Sequence, residues 1–158
     1  MNTVELLQYS LDTAFGILSL VTADLTQEQV DWQPPGVVNT IGSIYSHILN
    51  YVDWFVQDIC IDQKPFPESV EDGLKELGMR HVQADVAALH KNAGTVLEKA
   101  KGWLSSLTPD DLDIIRNTTI GELNQGQMVE AYVTWHVNVH CGEISALKGC
   151  QGLKGYPW

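Results

Sequence analysis

The chain has 158 residues, of which 44% are hydrophobic and 18% are charged, and this composition excludes an intrinsically disordered protein. A single domain covering residues 1–158 can bury enough apolar surface to fold without a metal or a disulfide as a structural support. The formal net charge of −11 repels phosphate backbones and anionic lipid surfaces, so neither a nucleic-acid nor a membrane partner is expected.

The cysteines and the N-terminal residues both indicate a cytoplasmic protein. Cys60, Cys141 and Cys150 are odd in number and lack CxxC spacing, which suits free thiols in a reducing compartment and excludes a zinc finger. The first residues contain neither a basic region nor a continuous apolar segment, so no secretory signal is expected. Apolar residues occur in short periodic runs, and no transmembrane helix is expected.

The first part of the chain predicts two long helices. Heptad spacing of apolar residues predicts a first helix from about Thr3 to Asp24 with one buried stripe. Thr26 to Gln29 has the form of a capping box for a short helical turn, which the following prolines and glycine must end. Thr40 is the expected N-cap of the second long helix, whose apolar stripe runs from Ile41 to Ile59.

The middle of the chain predicts a long connection followed by a third helix. Cys60 to Gly78 contains prolines, glycine and acidic residues, with one helical turn expected near Val70 to Leu77. The third helix is expected from about Met79 to Leu107, although Gly94 and Gly102 weaken the case for an unbroken helix.

The C-terminal part predicts a fourth helix from about Gln127 to Lys148, ended by Gly149 as the C′ residue. Before it, Leu112 to Asn124 is compatible with either a turn or a short hairpin. Four helices with a long crossover between the second and the third predict an all-α fold, a four-helix bundle.

His136 and His140 stand four residues apart on the predicted fourth helix. This spacing separates two helical side chains by about 40° in azimuth and about 6 Å in height, so both project from one face and can chelate one ion. The pair alone is a weak signal, because a histidine in a core usually hydrogen-bonds a neighbour. Apolar residues along the same stripe predict that the pair points toward the core: Val129, Val133, Ile144 and Leu147.

His47 strengthens the metal hypothesis because it lies at the edge of the apolar stripe on a different helix. Metal sites in bundles are built between facing helices, where packing could bring His47 opposite the pair. Three imidazoles leave coordination positions open, as in catalytic sites; zinc or nickel is expected and iron is the other choice, since nitrogen ligands alone do not choose among them. His81 and His90 lie among polar residues and are expected on the solvated surface.

Glu143 follows His140 by three residues and His136 by seven, so it shares their helix face. It could be a further ligand, an acid/base group, an acceptor that orients His140, or a carboxylate bonded to a neighbouring helix. Cys141 points about 100° away from His140 and is expected to be a packed side chain rather than a ligand or nucleophile.

Two segments resemble the DinB/YfiT-like superfamily. The run from Thr40 to His47 is similar to the second-helix histidine motif of that family, and Asp31-Trp32 fits a common family phrase. The run from His136 to Ile144 is similar to its HxxxHxGEI helix, and the run from Lys148 to Trp158 to its glycine-rich tail. Many relatives have a histidine or arginine where this chain has Cys141, which leaves the substrate-binding contribution of that position open.

The resemblance implies an up-down-down-up four-helix bundle, often a homodimer, that holds a divalent metal through His47, His136 and His140. Characterised relatives include thiol-dependent transferases and isomerases that use bacillithiol, mycothiol or glutathione. The first hypothesis is therefore an S-transferase in which the metal lowers the pKa of a thiol cosubstrate that attacks a small electrophile, with Glu143 as the candidate catalytic residue. The alternatives are a non-catalytic, stress-associated metal-binding protein, a metal-dependent hydrolase, and histidines that are satisfied by hydrogen bonds without an ion.

Overall fold

The computed structural model describes residues 2–36, 39–67 and 85–156. In its first part, each helix begins at a capping box. Asn2, Thr26 and Thr40 accept a hydrogen bond from the third helical residue, whose side chain bonds back to the cap. The helices are α1 (Thr3–Thr22), α2 (Gln27–Asp31) and α3 (Ile41–Trp54), and a π-helical segment, Phe55–Ile61, continues α3. The predicted caps at Thr26 and Thr40 are confirmed.

The second part contains a small sheet between two long helices. The sheet is an antiparallel hairpin in which Ile115 pairs with Asn124 and Thr118 with Gly121, so the hairpin alternative is the one observed. The elements are α4 (Val86–Ser105), a 3-10 turn (Asp110–Asp113), β1 (Ile115–Thr118), β2 (Gly121–Asn124), α5 (Gln125–Val129), a π-helical turn (Glu130–Thr134) and α6 (Trp135–Cys150).

The glycines in and after the two long C-terminal helices do not interrupt or end them where the sequence predicted. Helix α4 continues without a break through Gly94 and Gly102. The predicted stop at Gly149 is wrong, because α6 includes this residue and ends at Cys150. Gly152 is the C′ residue, with φ of +74°, and its N–H donates to the Gly149 carbonyl while the N–H of Leu153 donates to that of Lys148. This pair of bonds is a Schellman motif.

Several predictions concern residues that the structure does not describe. The helical turn near Val70 to Leu77, the start of the third helix at Met79 and the position of His81 all lie outside the described residues. They stay predictions.

Four long helices form the core and confirm the all-α class. Helix α1 packs against α4 and α6, and α3 packs against the same two helices. The fully buried side chains at the centre come from all four helices, for example Leu11, Ile48, Leu104 and Ile144. The two helices that carry the three candidate histidines, α3 and α6, are therefore direct neighbours.

The side chain of Lys148 ties the end of α6 to the end of α1. Only 2% of Lys148 is exposed. Its ammonium donates to the Val21 carbonyl at 2.9 Å and to the Asp24 carboxylate at 2.6 Å. A buried charge is tolerated only when it is paired and hydrogen-bonded in this way.

Arg116 anchors the hairpin to the segment that follows α3. Its guanidinium donates to the carbonyls of Ile59 and Lys64 and lies 6.0 Å from the centre of the Phe66 ring. The hairpin is thereby held beside the C-terminal end of the π-helical segment, where it forms one wall of the cavity that is described below.

Among the described helices, α1 has the length and mean hydropathy that a membrane span would need. A window of 18 residues within it has a mean hydropathy of 1.2, and 33% of that window is buried in the fold. A core helix passes the same test, and α1 buries its stripe against α4 and α6. The expected absence of a membrane span stays a prediction.

Candidate metal centre

Three imidazoles meet between α3 and α6. His47 comes from α3, and His136 and His140 come from consecutive turns of α6. One nitrogen of each ring lies within 4.8 Å of those of the other two. The ring centres are 4.9 Å apart for His47 and either partner and 4.5 Å apart for His136 and His140. The structure thus brings together all three of the histidines that the sequence singled out.

Both helices that supply histidines include π-helical turns close to the cluster. Phe55–Ile61 extends α3 two turns after His47, and Glu130–Thr134 ends two residues before His136. A π turn holds an extra residue and changes which side chains face inward after it, and such turns occur frequently at functional sites. The direction in which His136 points therefore depends on the turn that precedes it.

His140 is oriented by a carboxylate on its own helix. Its Nδ1 lies 2.7 Å from Oε2 of Glu143. Because an ionised carboxylate only accepts hydrogen bonds, Nδ1 must carry the proton, and Nε2 is the nitrogen with a free lone pair. Of the four roles that the sequence left open for Glu143, the observed contact is that of an acceptor orienting His140, as is common for metal-binding histidines.

His136 is half-buried, and one of its ring nitrogens has no hydrogen-bond partner among the described residues. Its ring stacks on Tyr51 with centres 3.9 Å apart. Its Nε2 has no hydrogen-bond partner among the described residues, although it is shielded from solvent. A buried polar atom without a partner is costly, and a metal ion would satisfy it.

Burial keeps two of the rings neutral. Removal from solvent, reinforced by His140 and then His47, lowers the pKa of His136 to about 3. Burial and the neighbouring His140 lower the pKa of His47 to about 4. Neutral imidazole is the form that binds a metal, and a cluster of three imidazole nitrogens suits a single zinc, nickel or iron ion. The residues present therefore fit a divalent ion.

The comparison with known families agrees with this geometry. A family model described as the DinB superfamily matches residues 10–144, a range that includes His47, His136 and His140. The chain belongs to the DinB superfamily. Among curated proteins, no match to the chain is found.

Two other predictions about this DinB-superfamily chain have different outcomes. Cys141 is fully buried in the core, as expected of a packed side chain, and burial raises the pKa of its thiol to about 12. The expectation that His90 is on the solvated surface is wrong, since it is half-buried. Its Nδ1 lies 3.3 Å from the hydroxyl of Tyr45, which is on another helix. The residues next to His90 in the sequence do not reveal this contact.

A cavity of about 1160 Å³ adjoins the histidine cluster at His136 and Tyr51. Apart from these two residues, its walls come from α1, the end of α3, Phe66 and Pro67, the 3-10 turn, the hairpin, α5, the π-helical turn and the start of α6. Trp54 and Trp135 are part of its lining. The arrangement can hold an apolar molecule next to a metal-binding cluster.

Sequence reasoning missed most of the cavity. The hairpin residues Thr119, Ile120 and Leu123 line it, but the hairpin itself could not be distinguished from a turn. Tyr132 also lines it and stands four residues before His136, which was a usable signal because this spacing repeats that of the histidine pair.

Proposed function

We propose that this DinB-superfamily chain is a metal-dependent S-transferase, which joins a low-molecular-weight thiol to a small electrophilic molecule. The observation that carries the proposal is a cluster of three imidazoles, one of which, His136, lines a largely apolar cavity. An open nitrogen-only site beside a ligand-sized cavity is typical of catalytic rather than structural metal centres.

In this proposal His47, His136 and His140 hold the ion, with zinc or nickel preferred and iron as the other choice. A bound divalent ion supplies Lewis acidity, which lowers the pKa of a coordinated thiol or water molecule. Glu143, expected from the sequence to be catalytic, acts as a positioning residue, because its contact is with Nδ1 of His140. The stack of Tyr51 on His136 holds the second ring in place.

The cavity would hold the electrophile and exclude water from it. Tyr132, stacked on Phe55 with ring centres 5.4 Å apart, forms a rigid part of the wall next to His136. In the transfer the thiol sulfur forms a bond to an electrophilic carbon, the leaving group departs with the bonding electron pair, and the thiol proton passes to solvent.

The test measures conjugation of a panel of thiols with a panel of small apolar electrophiles, with and without a chelator. The proposal predicts turnover that the chelator removes, that His140→Ala abolishes and that His90→Ala retains. Hydrolysis of the electrophile without a thiol would indicate the alternative of a metal-dependent hydrolase. A stoichiometric metal content without any turnover would contradict the proposal that the chain is an enzyme. It would support the alternative of a non-catalytic, stress-associated metal-binding protein.

We further propose that the chain is a homodimer in the cytoplasm and that its helices follow the up-down-down-up order with a crossover between α3 and α4. Apolar side chains exposed on the neighbouring helices α1 and α6 support an interface there, namely Leu6, Tyr9, Leu20, Trp135 and Val139. Light scattering of Tyr9→Glu should then show monomers, while Asn50→Glu, an exposed site on α3, should stay dimeric.

A further inference from the structure

The composition of the cavity wall restricts the charge of the molecule that can enter. Most of the wall is apolar. Its lining includes these aromatic and aliphatic side chains: Leu6, Tyr51, Trp54, Phe66, Ile120 and Trp135. Its volume of about 1160 Å³ is slightly above the range of about 300–1,000 Å³ for small-molecule sites. The space is therefore large enough for a molecule of two fused rings with substituents.

The charged groups of the wall have one sign. Asp113 and Glu130 contribute carboxylates, and no lysine or arginine is among the described residues that line the cavity. Neither carboxylate forms an ion pair with another residue in the described ranges. Both carboxylates therefore lie at the cavity without a paired cation among the described residues.

The described cation nearest in sequence to the hairpin part of this wall is Arg116, which does not line the cavity. Arg116 lies in β1, but its guanidinium donates to the backbone carbonyls of Ile59 and Lys64. In the metal-free chain an anionic ligand would thus lose its hydration in an apolar space, meet no lysine or arginine among the described lining residues, and face two carboxylates.

We propose that the side chains of this cavity wall, apart from any bound ion, select uncharged, predominantly apolar molecules and discriminate against anionic ones. The inference rests on the proposed function and deepens it, because it names the chemical class of the electrophile: a neutral molecule with an aromatic or aliphatic body. Apolar surface and aromatic contacts provide the affinity, and the carboxylates at Asp113 and Glu130 provide the discrimination.

Two probes with the same ring system test the proposal by isothermal titration calorimetry on the full chain. The neutral probe is 2-naphthalenemethanol, and the anionic probe is 2-naphthoate. EDTA is present throughout, so that the carboxylate cannot gain affinity by coordinating an ion and the result does not depend on metal binding or turnover. The expected result is that the alcohol binds at least tenfold more tightly than the carboxylate.

Variants locate the binding and the discrimination. Ala131→Phe adds a ring to the cavity wall and should abolish binding of the alcohol, whereas Ala146→Phe, the same change on the exposed face of α6, should not. Glu130→Gln should reduce the ratio of the affinities for the two probes severalfold. Glu28→Gln, at an exposed position on α2, should leave this ratio unchanged.

Equal affinity for the two probes, tighter binding of the carboxylate, or no binding of the alcohol would each overturn the inference. These outcomes are distinguishable from failure of the proposed function. A chain that binds the alcohol selectively but shows no chelator-sensitive turnover retains the cavity inference and loses the S-transferase.

Discussion

At the scale of single residues, the sequence predicted positions better than contacts. The spacing of His136 and His140 fixes their shared helix face, because helix geometry alone decides it. The role of Glu143 could not be chosen from spacing, since a ligand, an acid/base group and an orienting acceptor all require the same face. Only the 2.7 Å contact with Nδ1 of His140 distinguishes them. His90 shows the converse limit, because its partner Tyr45 is 45 residues away in the sequence.

The contact of Glu143 with His140 predicts a loss of metal affinity in Glu143→Ala. Without the carboxylate, Nδ1 loses its acceptor and the ring loses its orientation, so the affinity should fall about 10–100-fold. Competition with a chromophoric chelator measures this change. Glu122→Ala, at an exposed position of β2, is the matched control and should bind metal as the wild type does. An unchanged affinity in Glu143→Ala would exclude the orienting role.

At the scale of elements, the caps at Thr26 and Thr40 were predictable and the end of α6 was not. The caps at Thr26 and Thr40 are local patterns of four residues, which sequence displays directly. The end of α6 depends on which of several glycines adopts a positive φ, and Gly152 rather than Gly149 does so. The π-helical turns at Phe55–Ile61 and Glu130–Thr134 have no comparable sequence pattern.

Two glycines should respond to alanine with opposite signs. Gly102 lies exposed within α4 with no atom within 4 Å of an added Cβ, so Gly102→Ala should stabilise the fold by about 0.5–1 kcal/mol. Gly152 has φ of +74°, so Gly152→Ala should destabilise it by about 1 kcal/mol. Urea unfolding measures both changes. Two shifts of the same sign would contradict the assignment of Gly152 as the residue that ends α6.

The link between α1 and α6 should contribute stability that depends on pH. The hydrogen bond from Lys148 holds the pKa of Asp24 below its usual value of 3.8, although burial opposes this. A carboxyl with a lowered pKa stabilises the fold above its unfolded-state pKa, and this contribution is lost as the pH falls through the folded-state pKa. Asp24→Asn should therefore lower the melting temperature at pH 7 and have little effect once the pH is below the folded-state pKa of Asp24.

The size of this effect is limited because the Asp24 side chain is 66% exposed. Solvent screening restricts such pairs to about 1 kcal/mol or less. Asp110→Asn, at an exposed position in the 3-10 turn, is the control and should cause no comparable difference at neutral pH. A difference between wild type and Asp24→Asn that grows as the pH falls would have the wrong sign.

At the scale of the whole molecule, the all-α class and the pairing of α3 with α6 follow from the apolar stripes. The apolar stripes indicate which faces of the helices are buried. The histidines at the edges of these stripes meet where α3 and α6 pack against each other. The cavity could not be predicted, because its walls combine α1, the end of α3, the hairpin and the π-helical turn. Such a wall depends on tertiary packing, and residue periodicity does not encode it.

The central claim is that His47, His136 and His140 bind one divalent ion. The most direct measurement is the metal content of the untagged protein by mass spectrometry after equilibration with zinc or nickel and desalting. One equivalent per chain is expected for the wild type and for His90→Ala, and a large loss for His47→Ala, His136→Ala and His140→Ala. Two results would contradict the claim: a substoichiometric metal content in the wild type, or a metal content that stays at the wild-type level in all three variants.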